Sequence, residues 1–178
     1  MLSLRRALPS PPNAARCFHS TARRFVKAGD TIPDVPLMEN SPGNTVSLAK
    51  ELSGNGIIIG VPAAFSPSCS ESHIPGYINS PKIKNAGAVF VVSVNDAFVM
   101  KAWKASLDPD SKSGIRFLAD PSAAFAKSLD LTFDAPQIFG GPRSKRYALL
   151  IKDGKVAEAH IEPDNTGLNI SAAEKVLQ

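Results

Sequence analysis

Residues 56–77 read GIIIGVPAAFSPSCSESHIPGY, a strand, loop and helix pattern around one cysteine. Its apolar, β-branched start at residues 57–61 predicts a buried strand. Two prolines and several small residues then predict a tight loop, and Cys69 follows in the first turn of a predicted helix. That position places the sulfur near unpaired backbone N–H groups and the positive end of the helix dipole, which both favour thiolate over thiol. Because the thiolate is the nucleophile, Cys69 is the leading candidate for chemistry.

Apolar runs elsewhere in the chain predict strands that alternate with helices. Further strands are predicted at residues 88–94, 116–119, 147–151 and 156–161, with Asp153-Gly154 as the turn of a hairpin between the last two. Helices are predicted at residues 97–107 (capped by Asn95 or Asp96), 120–129 (opened by Asp120-Pro121) and 171–177 (capped by Ser171), with a short helix or turn at 46–52. This order indicates an α/β fold with a central mixed sheet flanked by helices.

The composition fits one domain with an N-terminal tail, and 178 residues are enough to bury a core. No apolar run approaches the roughly 20 residues that a membrane-spanning helix needs, so no membrane association is expected. The net charge is +4, but residues 1–25 hold five arginines and no acidic residue. Subtracting those five charges leaves −1 for the rest of the chain, so the basic character gives no reason to expect nucleic-acid binding.

Residues 1–25, MLSLRRALPSPPNAARCFHSTARRF, have the composition of a mitochondrial transit peptide, with arginine and serine and no acids. The stretch RCFHST at residues 16–21 also resembles the two-step processing signal of fungal mitochondrial precursors, with cuts after Cys17 and Phe25. We therefore expect a transit peptide at residues 1–25, a folded domain at residues 26–178, and a location in the mitochondrial matrix. The alternative is a disordered basic arm on a cytosolic protein.

The chain contains two cysteines, Cys17 and Cys69. Removal of the presequence would leave Cys69 as the single thiol, so no disulfide could form within the processed chain, which suits a reducing compartment. A lone cysteine in an intracellular protein is often a buried, inert residue. The evidence for a reactive Cys69 must therefore come from the residues around it.

Those residues follow the pattern Pro-x-x-x-Ser-x-x-Cys in PAAFSPSC (62–69), with HIPGY at 73–77. The pattern resembles the active-site loop of the peroxiredoxins, in particular the type-five (type II) subfamily and its mitochondrial, fungal-like members. In that subfamily the loop reads Pro-Gly-Ala-Phe-Thr-Pro-x-Cys, followed by His-Leu-Pro-Gly-Phe/Tyr. Here Ala63 replaces the glycine, and Ser66 replaces the threonine but keeps its hydroxyl. The resemblance runs from about residue 27 to the C-terminus and includes SVNDAFVMKAW (93–103), LADP (118–121) and EPDNTGL (162–168).

The resemblance implies a thioredoxin-like fold, a homodimer, and a thiol-specific peroxidase that reduces hydrogen peroxide and alkyl hydroperoxides, with peroxynitrite a further candidate substrate. Cys69 would attack the peroxide and become a sulfenic acid. The Ser66 hydroxyl can donate and accept, so it can contact the thiolate or a peroxide oxygen, and a helix N-cap is its alternative role. Pro62 would shape and shield the pocket, or else only end the strand.

A cation beside the sulfur would stabilise the negative charge of the transition state. Arg143, Lys145 and Arg146 are the candidates. The resemblance selects Arg146, because it directly precedes the aromatic residue that opens the next strand. Its planar, permanently charged guanidinium can contact the sulfur and a peroxide oxygen together. The other two cations are then expected to be solvated loop charges.

His73 lies four residues after Cys69 and therefore on the same helix face. It is a candidate to support the pocket by hydrogen bonding, with plain packing as the alternative. Pro75 and Gly76 are expected to break or kink this helix. A zinc site needs about four ligands, and residues 26–178 offer only Cys69, His73 and His160 as thiol or imidazole ligands, so we expect no metal and no cofactor.

Many type-five relatives carry a resolving cysteine shortly after the Thr-Gly-Leu stretch, and Ile170 takes that place here. The resemblance therefore implies a one-cysteine mechanism, in which glutathione with glutaredoxin, or else thioredoxin, reduces the sulfenic acid. The alternative function is a non-enzymatic peroxide sensor or redox relay that passes oxidation to a partner protein. A dithiol oxidoreductase is disfavoured because residues 67–70, PSCS, lack the second cysteine of a Cys-x-x-Cys pair.

Overall fold

The computed structural model describes residues 25–178, so the predicted transit peptide and its processing sites up to residue 24 lie outside the described residues. The strands are β1 (Pro36–Glu39), β2 (Ser41–Ser47), β3 (Gly56–Val61), β4 (Ala88–Ser93), β5 (Arg116–Ala119), β6 (Thr132–Ala135), β7 (Gly141–Ser144), β8 (Tyr147–Lys152) and β9 (Lys155–Ile161). The helices are α1 (Leu48–Glu51), α2 (Ile74–Ile78), α3 (Ala97–Leu107), α4 (Ala124–Ser128), α5 (Pro136–Phe139) and α6 (Ala173–Val176), with a π-helical turn at Ser68–His73 and a 3-10 turn at Pro81–Asn85. Within residues 25–178, no helix has the length and apolar character needed to cross a lipid bilayer.

A seven-stranded mixed sheet forms the centre of the molecule, in the order β2-β1-β5-β4-β3-β8-β9. The three central strands β3, β4 and β5 are parallel, and every other pairing in this sheet is antiparallel. Strands β6 and β7 form a separate two-stranded ribbon. The predicted α/β fold with a central mixed sheet flanked by helices is therefore confirmed.

Strand β3 supplies side chains to apolar clusters on both faces of the sheet. Ile57 and Ile59 pack on the face that also holds Cys69 and Trp103. Ile58 points to the opposite face, because successive side chains of a strand alternate. Burial of each such isoleucine stabilises the fold by roughly 1.5–3 kcal/mol. The strand that leads to the Cys69 loop is therefore fixed from both sides.

Several local predictions are confirmed. The helix at residues 97–107 is α3, and of its two candidate caps it is Asp96 that accepts the N–H groups of Phe98 and Val99, each at 2.9 Å. The β8–β9 hairpin turns at Asp153 and Gly154, whose φ values of 51° and 74° both lie in the left-handed region. An Asp-Gly pair tolerates this conformation, which matches the twist of the flanking strands.

Two predicted helix starts are wrong. The helix expected from residue 120 begins at Ala124, after a left-handed Ala123 with φ 56°, and the Asp120 carboxylate accepts the N–H groups of Phe125 and Ala126. The C-terminal helix begins at Ala173 without a side-chain cap. Ser171 does not cap it, because its hydroxyl donates to Glu162 instead, at 2.8 Å.

The helix predicted at residues 46–52 is shorter than expected, and the helix break predicted at Pro75 and Gly76 is absent. Ser41–Ser47 is an edge strand paired with β1, and the helix is confined to Leu48–Glu51. Pro75 and Gly76 do not end the helix, which continues to Ile78. The irregularity lies one turn earlier, where the Ile74 N–H donates to the Cys69 carbonyl in a widened π-helical turn. Such a turn accommodates a proline that cannot donate a helix hydrogen bond.

Candidate active site

Cys69 is fully buried at the start of the helix that follows β3. Its side chain belongs to the apolar cluster between the sheet and the helical layer. The Ser70 N–H donates to the Ser66 carbonyl at 2.9 Å, which is a helical hydrogen bond that spans Cys69. The prediction that Cys69 lies in the first helical turn after a buried strand is therefore confirmed.

Arg146 directly precedes β8, the strand that pairs with β3, and reaches Cys69 from there. Tyr147 pairs with Gly60 of β3, and the absence of a side chain at Gly60 leaves room for the Tyr147 ring. Tyr147 packs on the face of the sheet opposite Cys69. Since side chains alternate along an extended chain, Arg146 points to the Cys69 face, where its Nη1 lies 3.3 Å from the Cys69 Sγ.

The guanidinium of Arg146 is 1% exposed and bonded on every nitrogen. Its Nε and Nη2 donate to the Thr166 carbonyl at 3.1 and 3.0 Å, and its Nη1 also lies 3.0 Å from the Nδ1 of His73. Among the described residues, no ion pair joins Arg146 to a carboxylate. A thiolate at Cys69 would therefore be the anion bonded to this buried cation.

His73 links Arg146 to the C-terminal segment. An arginine can only donate, so Nδ1 of His73 accepts from Arg146, and the ring proton lies on Nε2, which donates to the Ser171 carbonyl at 3.1 Å. Burial, with the charge of Arg146 as a second cause, lowers the pKa of His73 to about 3. The ring is therefore neutral near pH 7 and acts as a fixed hydrogen-bond bridge rather than a passive packing residue.

Tyr77 reinforces this bridge from the next helical turn. Its hydroxyl donates to the same Ser171 carbonyl at 2.6 Å. Burial raises the pKa of Tyr77, so its phenol remains a donor across the physiological pH range.

Asn95 holds the loop between β3 and Cys69. Its Oδ1 accepts the Ala64 N–H at 3.0 Å and the Ser93 hydroxyl at 2.7 Å. Phe65, which follows Ala64 in this loop, has a left-handed φ of 62°, and such a φ is uncommon for an aromatic residue. Phe65 is 54% exposed. The loop is thus fixed to the end of the adjacent strand β4, and Asn95 is used for this contact rather than as the cap of α3.

Trp103 anchors the other side of the loop and its helix. It is fully buried, and its Nε1 donates to the hydroxyl of Ser70, the residue after Cys69, at 3.0 Å. The ring of Phe65 lies 6.4 Å from the Trp103 ring, centroid to centroid. Two side chains that flank Cys69 in sequence therefore contact the same indole.

Pro62 and Ser66 lie in this loop as the sequence predicts. Pro62 is buried directly after β3. The alternative that Ser66 is the helix N-cap is wrong, because no side chain caps this helix. The half-buried Ser66 hydroxyl donates to the Ala63 carbonyl at 3.1 Å, which leaves its oxygen able to accept from a ligand.

The two rival cations make their contacts with groups other than Cys69. Arg143 donates to the carbonyls of Val94 and Phe139. The ammonium of Lys145 lies over the ring of Phe25, 4.6 Å from its centroid. Among the three candidates, the structure brings Arg146 to the sulfur.

The sequence did not single out Thr166, Ser171 or Glu162 as site residues. Thr166 and Ser171 contribute backbone carbonyls, which no side-chain pattern reveals. The available signal was the stretch EPDNTGL, which carried the family resemblance but no assigned role. Within residues 25–178, no group of three or more His, Cys, Asp or Glu side chains is arranged to hold a metal ion.

Comparison with known proteins agrees with this geometry. The redoxin family pattern matches residues 27–177. The chain is 46% identical to "Peroxisomal membrane associated protein 20" of Schizosaccharomyces pombe, over 86% of this chain and 98% of that protein. It is 40% identical to "Peroxiredoxin-2C" of Oryza sativa subsp. japonica, over 86% of this chain and 97% of that protein.

A solved structure shows the same similarity in three dimensions. The crystal structure of reduced Prx3 in complex with H2O2 from Vibrio vulnificus superposes with a TM-score of 0.77 and 36% identity, over 86% of this chain and 98% of that chain. The fold is therefore thioredoxin-like, as expected from the sequence. The chain belongs to the redoxin family and is a peroxiredoxin. Its enzymatic class is that of the thiol-dependent peroxidases.

Proposed function

We propose that this protein is a one-cysteine peroxiredoxin of the type-five subfamily, with Cys69 as its peroxide-reducing residue. The observation that carries the proposal is the 3.3 Å contact between the guanidinium of Arg146 and the buried Sγ of Cys69. A buried arginine with a second bond to neutral His73 is preorganised to stabilise an anion at that sulfur.

In the first half-reaction, the Cys69 thiolate attacks one oxygen of the peroxide. The S–O bond forms as the O–O bond breaks, so the sulfur is oxidised to a sulfenic acid and the second oxygen leaves as hydroxide or alkoxide, which then takes up a proton. Arg146 would stabilise the charge as it moves from sulfur to the leaving oxygen. Ser66 would accept from the peroxide O–H, because its own hydroxyl donates to the Ala63 carbonyl. Pro62 would exclude water from the pocket.

In the second half-reaction, an external thiol attacks the sulfenic acid, which releases water and leaves a mixed disulfide. A second thiol then restores the Cys69 thiol and leaves with the first thiol as a disulfide. The chain supports an external reductant because Cys69 is the free cysteine of the described residues, and the place of a resolving cysteine is taken by the 40% exposed Ile170. Glutathione with glutaredoxin is the reductant we propose, with thioredoxin as the second choice.

The family resemblance supports a homodimer, and the composition of residues 1–25 supports a mitochondrial location. We propose that the protein forms a homodimer and acts in the mitochondrial matrix, after removal of residues 1–25. The acid-free, arginine-rich N-terminus supports this location. The name of the S. pombe relative refers to the peroxisome, so microscopy of a C-terminally tagged protein should compare both organelles. Co-localisation with a peroxisomal marker would contradict the matrix assignment.

The test of the mechanism is steady-state peroxide consumption by the full chain carrying Cys17→Ser, so that Cys69 is its one thiol. Turnover is expected with glutathione and glutaredoxin, with glutathionylated Cys69 as the intermediate found by mass spectrometry. Peroxide consumption that persists after Cys69→Ser would overturn the proposal. Rapid oxidation of Cys69 without turnover by either reductant system, together with a mixed disulfide to one protein, would favour the relay function instead.

A further inference from the structure

Glu162 is an acidic residue buried directly after β9, and it is 2% exposed. One oxygen of its carboxylate, Oε1, accepts three hydrogen bonds from a single segment of the chain. The donors are the Asn169 N–H at 2.7 Å, the Ser171 N–H at 2.9 Å and the Ser171 hydroxyl at 2.8 Å. A carboxylate is buried at high cost unless such donors compensate it, so these bonds hold the segment firmly.

The segment fixed by Glu162 carries the carbonyls that hold the active site. The Thr166 carbonyl accepts two bonds from the guanidinium of Arg146, and the Ser171 carbonyl accepts from His73 and Tyr77. Both carbonyls therefore accept hydrogen bonds from side chains next to Cys69, namely Arg146 and His73. Their positions depend on how residues 166–171 fold back onto β9.

We propose that Glu162 is a positioning residue for peroxide reduction, because its carboxylate fixes residues 166–171 and thereby the orientation of Arg146 and His73 toward Cys69. This inference rests on the proposed function of Cys69 as the peroxide-reducing residue. Glu162 acts through other residues and is not itself in contact with the sulfur. The role belongs to the side chain, since its oxygen accepts all three bonds.

The main chain of Glu162 makes a separate contact that a side-chain substitution leaves in place. Its N–H donates to the Arg146 carbonyl at 3.0 Å, and the Arg146 N–H donates to the Asn165 carbonyl at 2.7 Å. Glu162→Gln therefore retains the backbone pairing and the volume of the side chain but removes its charge. An amide oxygen accepts hydrogen bonds roughly half as strong as those to a carboxylate. The expected effect is a loosened 166–171 segment in a folded protein.

The experiment compares Glu162→Gln with the matched control Glu158→Gln in the full chain, both carrying Cys17→Ser. Glu158 lies on β9, the strand that Glu162 directly follows, but its side chain is 62% exposed and lies beside His160 rather than the active site. The first readout is the second-order rate of Cys69 oxidation by hydrogen peroxide. The second is the pH midpoint of Cys69 alkylation by iodoacetamide, followed by mass spectrometry. Circular dichroism establishes that each variant is folded.

For Glu162→Gln we expect the oxidation rate to fall between about tenfold and a hundredfold, because a misplacement of about 1 Å costs about a hundredfold. We expect the alkylation midpoint to move to higher pH, since a displaced Arg146 stabilises the thiolate less. Glu158→Gln should change neither readout. A merely structural role for Glu162 would lower the melting temperature but leave the alkylation midpoint unchanged in the folded protein, and that result would overturn the proposal.

A second variant tests the positioning role of Glu162 if Glu162→Gln does not fold. Ser171→Ala removes one of the three donors and keeps both backbone groups of residue 171. It should shift both readouts in the same direction by a smaller amount, and unchanged values would contradict the proposal. Failure of the proposed function is distinguishable, because slow oxidation of the unsubstituted Cys69 would reject that function whatever Glu162 does.

Discussion

Arg146→Met tests the electrostatic basis of the site. The substitution retains a long apolar stem but removes the guanidinium, which bonds Cys69, His73 and Thr166. The loss at Cys69 resembles the loss of one donor from an oxyanion hole, which costs about 10²–10³ in rate, or about 2.7–4 kcal/mol. We therefore expect the second-order rate of Cys69 oxidation to fall by about 10²–10³.

The same substitution should also lower the free energy of unfolding. It leaves the Thr166 carbonyl and the His73 Nδ1 without their partner, and each unsatisfied buried group costs about 1–3 kcal/mol. Part of this loss is offset because methionine avoids the desolvation of a buried charge. Urea denaturation should therefore show a clear loss of stability in a protein that still folds.

Stopped-flow fluorescence measures the oxidation rate directly. The chain has one tryptophan, Trp103, and its indole is bonded to Ser70 beside the reacting cysteine. The matched control is Arg143→Met, which removes a guanidinium bonded to the Val94 and Phe139 carbonyls. If folded Arg146→Met reacts within about threefold of the unsubstituted protein, well short of the loss expected for one donor, Arg146 does not stabilise the reacting sulfur. An equal loss of rate in Arg143→Met would exclude a specific role for Arg146.

Three further outcomes follow from the other contacts of the site. The pKa of His73 is lowered to about 3, from 6.5 in the unfolded chain, so unfolding takes up a proton between these values. Stability should fall as pH drops from about 6.5 toward 3, by up to about 1.4 kcal/mol per pH unit, and His73→Gln should flatten this slope in denaturation curves. Asn95→Ala leaves the Ala64 N–H without its acceptor, so we expect a loss of about 1–3 kcal/mol by urea denaturation and slower oxidation of Cys69 in stopped flow. Ser66→Ala should slow oxidation while Ser66→Thr retains the rate, since the hydroxyl is the shared group, and equal rates for both variants would remove Ser66 from the mechanism.

The central fold was predictable from sequence because its signals are local. The buried run of β3, the Asp96 cap of α3 and the Asp153-Gly154 turn each depend on a few neighbouring residues. The start of α4 was not predictable in this way. It depends on a left-handed Ala123, which the buried Asp120 carboxylate supports through bonds to residues farther along the chain.

The candidate site was predictable to the extent that side chains define it. The loop pattern pointed to Cys69, and the family resemblance selected Arg146 among three cations. The helix cap predicted at Ser171 is wrong because its hydroxyl donates to the distant Glu162 instead of accepting from the first turn of the helix. The contributions of Thr166 and Ser171 lie in backbone carbonyls brought together by the tertiary fold, so the sequence pattern carries no signal for them.

Rapid-quench mass spectrometry of the Cys17→Ser protein, mixed with one equivalent of hydrogen peroxide, shows whether Cys69 is the peroxide-reducing residue. We predict sulfenic acid at Cys69 within milliseconds, because its sulfur lies 3.3 Å from the buried guanidinium of Arg146. Cys69→Ser should show no comparable product. Oxidation of Cys69 over many minutes would mark an ordinary buried thiol and contradict its peroxide-reducing role.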